Sequence, residues 1–171
     1  MCGICGIVYK TRERSPDPGM LARMTDTLTH RGPDDKGYAI SGQAGLGMRR
    51  LSIIDLSTGH QPIANEDGTK TIIFNGEIYN FQPLRSELEG LGHRFRTQSD
   101  TETILHGYEA WGEGICERLN GMFAFAVWDA AQNKLFIARD RLGIKPMYYY
   151  QDDEKFVFGS ELKAILKCDG V

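Results

Sequence analysis

Met122-Phe123-Ala124-Phe125-Ala126-Val127-Trp128 is apolar throughout, and beyond the turn-like Asp129–Asn133 comes a second apolar segment, Leu135-Phe136-Ile137-Ala138. Two such runs joined by a short polar connection read as an antiparallel hairpin. Hairpin strands with one wet face alternate apolar with polar residues. These do not, so both faces must be covered. Ile4–Tyr9 has the same unbroken apolar character, and Met147–Tyr150 with Phe156–Phe158 forms another hairpin. Strands of this kind require sheets stacked on one another with helices outside, an α+β arrangement. The helices are read from spacing: Met20, Leu21, Met24 and Leu28; Phe81, Leu84, Leu88 and Leu91; and Ile104, Leu105, Tyr108 and Trp111 in a segment from Thr101. Pro83 falls in the first turn of the second, where its missing N–H costs little. A last short helix is expected near Glu161–Lys167.

The composition fits that picture. At 171 residues, with 41% hydrophobic and 25% charged residues, the chain suits one globular domain and neither disorder nor a coiled coil. A net charge of −3 argues against nucleic-acid binding through bulk electrostatics. No apolar run approaches the roughly 18 residues that span a bilayer. Charges arrive at Lys10, Arg12 and Arg14 with no basic segment ahead of the first apolar run, so the start is not a secretory signal. A soluble, cytoplasmic protein without membrane or nucleic-acid partners is expected. Glycine is enriched at 20 residues, which implies tight turns and close backbone approaches.

The four cysteines are Cys2, Cys5, Cys116 and Cys168. Cys2 and Cys5 form a Cys-x-x-Cys pair, but a zinc site needs a second ligand pair, and His30, His60, His93 and His106 are scattered along the chain. No metal site is therefore expected. A thioredoxin-like pair belongs between a strand and a helix, whereas this one leads into a strand. Ile4 and Gly6 break a papain-like signature. Cys5 reads as a small core residue. Cys2 differs by its address: once Met1 is removed, its thiol lies beside a free α-amine that can serve as its base.

Other polar residues sit beside apolar strands. Asn75-Gly76, following the strand Thr71–Phe74, is locally a strong hairpin-turn signal; the alternative is a pair of oxyanion donors. Ser99-Asp100-Thr101-Glu102 fits a helix capping box, and Asp100 is either a first-turn charge or a partner for a ligand ammonium. Arg49 and Arg50 point to opposite faces of a strand, so at most one enters a given pocket, where it could clamp a carboxylate. Gly45 and Gly47 lack the third glycine of a dinucleotide fingerprint, because position 50 is Arg50.

Seven ordered motifs together resemble one family. They are Cys2-Gly3-Ile4-Cys5-Gly6-Ile7, His30-Arg31-Gly32-Pro33-Asp34, Arg50-Leu51-Ser52-Ile53-Ile54-Asp55, Asn75-Gly76-Glu77-Ile78-Tyr79-Asn80, Ser99-Asp100-Thr101-Glu102, Gly121-Met122-Phe123-Ala124-Phe125-Ala126, and the run Ala138-Arg139-Asp140-Arg141-Leu142-Gly143-Ile144-Lys145-Pro146. They look like the glutaminase domain of glutamine-hydrolysing asparagine synthetases, within the class II glutamine amidotransferases. The resemblance implies an N-terminal-nucleophile hydrolase, a four-layer αββα sandwich of two mainly antiparallel sheets, over residues 1–171. It implies Cys2 as nucleophile and Asn75 and Gly76 as the oxyanion hole. Arg50, aided by backbone around Leu51, Ser52, Ile53 and Ile54, would take the α-carboxylate of L-glutamine, and Glu77 and Asp100 its α-ammonium. No cofactor is implied for this half. ATP and magnesium belong to a synthetase domain expected downstream, which these residues do not contain and which would act in cis or in trans, with a homodimer expected for the longer enzyme. A glutaminase serving a different ammonia acceptor, or a non-catalytic glutamine-binding module, are the alternatives.

Overall fold

The computed structural model describes residues 1–51 and 59–171. In chain order its elements are β1 (Gly3–Tyr9), α1 (Pro18–Asp26), β2 (Asp35–Ser41), β3 (Ala44–Arg50), β4 (Ile63–Ala64), β5 (Lys70–Ile78), α2 (Phe81–Gly90), α3 (Asp100–Trp111), α4 (Ile115–Arg118), β6 (Gly121–Asp129), β7 (Lys134–Arg139), β8 (Tyr148–Gln151), β9 (Lys155–Gly159) and α5 (Leu162–Ile165). The strands form two sheets, ordered β2-β3-β1-β9-β8 and β4-β5-β6-β7, and every pairing is antiparallel.

Side-chain parity explains the layers. In a strand successive residues face opposite sides. On β6, Phe123, Phe125 and Val127 pack under the helical residues Leu84, Ile104, Leu105 and Tyr108, while Ala124, Ala126 and Trp128 face the other sheet. On β1, Cys5, Ile7 and Tyr9 meet Met20, Met24 and Leu28 of the α1 region, while Ile4 joins Leu46, Met48, Ile73 and Phe158 between the sheets. Both runs are buried on two faces because each lies between a helical layer and a sheet. The result is a helix–sheet–sheet–helix sandwich, the α+β architecture expected.

Small residues set the spacing between strands and layers. A Cβ on Gly6 would lie 2.5 Å from the Phe158 ring and 2.7 Å from the Gly45 carbonyl. The absent side chain leaves room for Phe158, which is completely buried.

The hairpins around β6–β7 and β8–β9 and the three longer helices fall where the sequence indicates, within about three residues at their ends. Two features differ. The β2–β3 hairpin is only half legible, because β2 alternates exposed and partly covered residues without a strong apolar signal. The Asn75-Gly76 turn reading is wrong: β5 continues through Ile78, with Asn75 opposite Ala124 and Gly76 opposite Phe123. Pairing along the whole length of β6 overrides the local turn preference. The paired backbones also come so close that a Cβ on Gly76 would sit 2.2 Å from the Met122 carbonyl oxygen.

Candidate active site

At one end of the sandwich the inter-sheet layer opens into a cavity of about 300 Å³. The parity that fills the core also fills this cavity. Cys2 continues the face of Ile4, Arg50 that of Met48, and Asn75 and Glu77 that of Ile73. The cavity brings together Cys2, Arg50, Leu51, Asn75, Gly76, Glu77 and Asp100, every described residue selected from the sequence for catalysis or substrate binding. Ser52, Ile53 and Ile54 lie outside the described residues.

The two cysteines point apart. Cys5 is completely buried with its Sγ 3.4 Å from Thr25 Oγ1, and burial pushes its thiol up to about 12, a group inert at neutral pH. Cys2 lines the cavity. The Leu51 N–H donates to its Sγ at 3.4 Å, and the thiol faces the Leu51 carbonyl at 3.6 Å. Burial raises the Cys2 thiol above its ordinary value, opposed by the Leu51 hydrogen bond, the chain's amino group and Arg50. Residues three apart on a strand occupy opposite faces, so this Cys-x-x-Cys cannot act as one chelating or redox pair.

Arg49 and Arg50 separate in the same way. Arg49 pairs with Asp26 at 2.6 Å on the α1 side, while Arg50, only 4% exposed, reaches the cavity. Asn75 is 1% exposed, and its Nδ2 has no hydrogen-bond partner among the described residues. A buried amide donor without an acceptor is costly, and such groups concentrate at sites that await a ligand.

At the opposite wall Ser99 caps α3, its Oγ accepting from Glu102 N–H at 3.4 Å. The reciprocal half of the capping box is absent. Glu102 instead accepts from the backbone N–H groups of Arg96 and Thr97 at 2.8 and 2.7 Å. Asp100, in the first turn, accepts from Ile78 N–H at 3.0 Å and faces the cavity. Burial pushes its carboxyl up to about 6 against the pull of the Ile78 N–H, with the charge of Glu77 adding to the rise. Glu77 is also raised by burial, with Lys145 opposing, and its carboxylate makes no hydrogen bond or ion pair with any described residue. Two strained carboxylates at one end, a buried guanidinium, a thiol and a free amide donor suit a zwitterionic amino acid that carries a side-chain amide.

Several residues that shape the site had no role assigned from sequence. Arg31 Nε donates to the Cys2 carbonyl at 2.9 Å, and its Nη1 pairs with Glu161 at 3.2 Å. Ser160 brackets Ile4, accepting from its N–H through Oγ at 3.0 Å and donating its own N–H to its carbonyl at 2.8 Å. Gln61 joins the walls: its Nε2 donates to Thr101 Oγ1 at 3.1 Å and its Oε1 accepts from Phe74 N–H at 2.7 Å. Lys145 completes the lining. The motifs of Arg31 and Lys145 were visible in the sequence; that their side chains converge on Cys2 and its cavity is a tertiary fact.

The histidines are not all scattered. His93 and His106 lie with ring centroids 4.9 Å apart and planes tilted by 42°, and Glu109 joins them, its carboxylate 2.8 Å from His106 Nδ1 and 3.6 Å from His93 Nδ1. Burial would lower His106, but Glu102 and Glu109 outweigh it and push the imidazole up to about 9. His106 between Glu102 and Glu109, with His93 beside it, ties α3 to the loop before it. Among the described residues no helix is long and apolar enough to cross a membrane.

Comparison with known proteins adds the lineage. The family described as glutamine amidotransferase domain matches residues 1–171. Asparagine synthetase (glutamine-hydrolyzing) 3 of Bacillus subtilis strain 168 is 48% identical over 168 residues, covering 97% of this chain and 27% of that protein. Asparagine synthetase (glutamine-hydrolyzing) 2 of the same strain is 44% identical, covering 96% of this chain and 22% of its own length. The chain thus spans about a quarter of the relatives it matches. Among solved structures, glutamine phosphoribosylpyrophosphate amidotransferase from B. subtilis, complexed with ADP and GMP, aligns over 98% of this chain and 43% of its own, with a TM-score of 0.78 at 22% identity. That likeness is one of fold.

Proposed function

Because the chain belongs to the glutamine amidotransferase domain family, we propose that it hydrolyses L-glutamine to L-glutamate and ammonia, with Cys2 as nucleophile once Met1 is removed. The observation that carries this reading is the convergence of the Cys2 thiol, the unpartnered Asn75 amide, Arg50, Glu77 and Asp100 on one cavity.

Arg50 holds the substrate α-carboxylate, with Leu51 beside it in the cavity, and Glu77 and Asp100 hold the α-ammonium. These contacts fix the amino-acid end and leave the amide at the thiol. The freed α-amine of Cys2 takes the thiol proton, and the sulfur attacks the amide carbon. Asn75 Nδ2–H and Gly76 N–H donate to the oxyanion that forms, a stabilisation worth on the order of 10²–10³ in rate per donor. The amine then passes its proton to the departing nitrogen, releasing ammonia and leaving a γ-glutamyl thioester. Water, deprotonated by the same amine, attacks the thioester and regenerates the thiol as glutamate leaves. Covalent catalysis divides one hard amide cleavage into two easier steps. No cofactor enters either step.

The names of the relatives support one reading of the ammonia acceptor. Both Bacillus proteins are named glutamine-hydrolyzing asparagine synthetases, and we propose that the ammonia serves ATP- and magnesium-dependent amidation of aspartate by a separate synthetase unit, in cis or in trans.

The test is direct. Purified protein should lack Met1, release glutamate from glutamine, and gain the mass of a glutamine-like electrophile on Cys2. Cys2→Ala should abolish both glutamate release and labelling; a Cys2→Ala protein with full glutaminase activity would refute the mechanism.

A further inference from the structure

The run Arg139-Asp140-Arg141-Leu142-Gly143-Ile144-Lys145 leaves β7 and forms a tightly braced loop. Asp140 accepts through Oδ1 from Ile144 N–H at 2.9 Å, and through Oδ2 from Lys145 N–H at 3.0 Å and Phe123 N–H at 3.2 Å. Arg139 returns to the loop, its Nε donating to the Lys145 carbonyl at 2.7 Å and its Nη2 to the Gly143 carbonyl at 2.6 Å. Gly143 turns the chain at φ +67°, a conformation that side-chain-bearing residues rarely adopt. So much bracing around an irregular loop places one side chain: Lys145 is 4% exposed and lines the cavity.

The surroundings of its ammonium are unusual. Among the described residues the acceptor its Nζ meets is the Met1 sulfur at 3.3 Å, and no described carboxylate lies within ion-pair distance. A thioether is a weak acceptor, and a buried ammonium without a strong partner is costly. Removal of Met1, which the proposed function requires, takes even that acceptor away. Across the same cavity Glu77 is a carboxylate with no partner among the described residues. The charged or titratable groups facing Glu77 are Asp100 from α3, Arg50 from β3, Cys2 and the chain's amino group ahead of β1, and Lys145 from the β7–β8 loop.

We propose that Lys145 is a positioning residue for the ammonium-binding end of the cavity, its side-chain charge keeping Glu77 in the ionised form that receives the substrate α-ammonium. The proposal rests on the glutaminase reading above. Glu77, half-buried, and Asp100, buried, share one corner, and two neighbouring desolvated carboxylates resist being ionised together. A fixed cation at the edge of that corner offsets the resistance without occupying the place of the ligand. The direction of the pull on Glu77 agrees: burial raises its carboxyl and Lys145 opposes the rise.

The experiment is the pH profile of glutaminase activity in processed wild-type protein, Lys145→Met, Lys145→Gln and Lys145→Arg, from about pH 5.5 to about pH 8.5. In Lys145→Met and Lys145→Gln the acid limb of kcat/KM should move upward by about half a pH unit or more. The glutamine KM should rise about threefold at the acid end and approach wild type at the alkaline end, with kcat changed less than about twofold. Lys145→Arg should restore the wild-type profile. In a Glu77→Gln background, Lys145→Gln should produce no further shift of the acid limb. An active wild type whose acid limb is unmoved in both neutral variants overturns the role of Lys145 and leaves the glutaminase reading intact. A KM raised equally at every pH also overturns it, since the cation would then act on the substrate and not through Glu77. Wild-type protein that lacks glutaminase activity refutes the underlying reading instead.

Discussion

The two ends of the inter-sheet layer are built by the same strands on the same faces, yet they obey opposite rules. In the middle, Ile4, Met48, Ile73, Ala124 and Phe158 interlock with no polar side chain among them. Two to four residues further along stand Cys2, Arg50, Asn75 and Glu77, holding an amide and a carboxylate that have no partner among the described residues. The apolar half stabilises the fold. The polar half costs stability, because each group is desolvated before its ligand arrives. Continuous strands allow this, since the rigid half fixes the backbone from which the strained half projects. Active sites are recurrently bought with stability in this way.

If that division holds, substitutions at the two ends should have opposite signatures. The largest stability effect belongs to the apolar half: Phe158→Ala should destabilise by about 3–5 kcal/mol, read by chemical denaturation. A smaller loss would mean that the layer closes over the vacancy, and that the rigid half is softer than drawn here. Next comes Asn75→Ala, which should lower kcat on the order of 10²–10³ while leaving the denaturation midpoint at or above that of wild type. A variant with intact kcat would remove Asn75 from the oxyanion hole.

Asp100→Asn should separate stability from binding most clearly. A carboxyl raised in the folded state contributes stability that is complete below its ordinary value of 3.8 and is lost as pH rises through about 6. At neutral pH the wild-type charge is therefore a liability. The amide, which keeps an acceptor for Ile78 N–H, should gain about 1–3 kcal/mol there, shrinking toward zero in acid. Glutamine binding runs the other way. Wild-type KM should rise as pH falls through about 6, and the variant KM should be high throughout; equal melting curves at both pH extremes would count against the strained carboxylate. The smallest effect is expected at Arg49, which shares a strand with Arg50 but faces α1. Arg49→Ala should cost about 1 kcal/mol and leave glutaminase kinetics unchanged. A loss of activity would show that the two faces of β3 are coupled.

Much of the fold was legible because burial on two faces writes itself as an unbroken apolar run, as in Ile4–Tyr9 and Met122–Trp128. Strand β2 was not legible, since its mixed Asp35–Ser41 pattern lacks that mark. At the site, Cys2 was marked by its address beside the chain's amino group, and strand parity admitted only one of Arg49 and Arg50; the family resemblance, not parity, picked Arg50. Asn75-Gly76 misled locally: the dipeptide favours a turn, and only the long pairing with β6 holds it extended. The capping box was half right, with Ser99 capping α3 while Glu102 serves the preceding loop.

By itself, then, the amino-acid order determined the layered architecture, the opposite facing of Cys2 and Cys5, and the residue types able to grip an amino acid. These follow from periodicity and covalent geometry, which act within a few residues. The tertiary structure alone decided that Cys2, Arg50, Asn75, Glu77 and Asp100 share one cavity, that Lys145 reaches it and Arg31 the Cys2 backbone from remote loops, and that His93 and His106 meet. Those outcomes depend on how two sheets and their helices stack, and on the desolvation that stacking imposes. Neither is encoded at any single position of the chain.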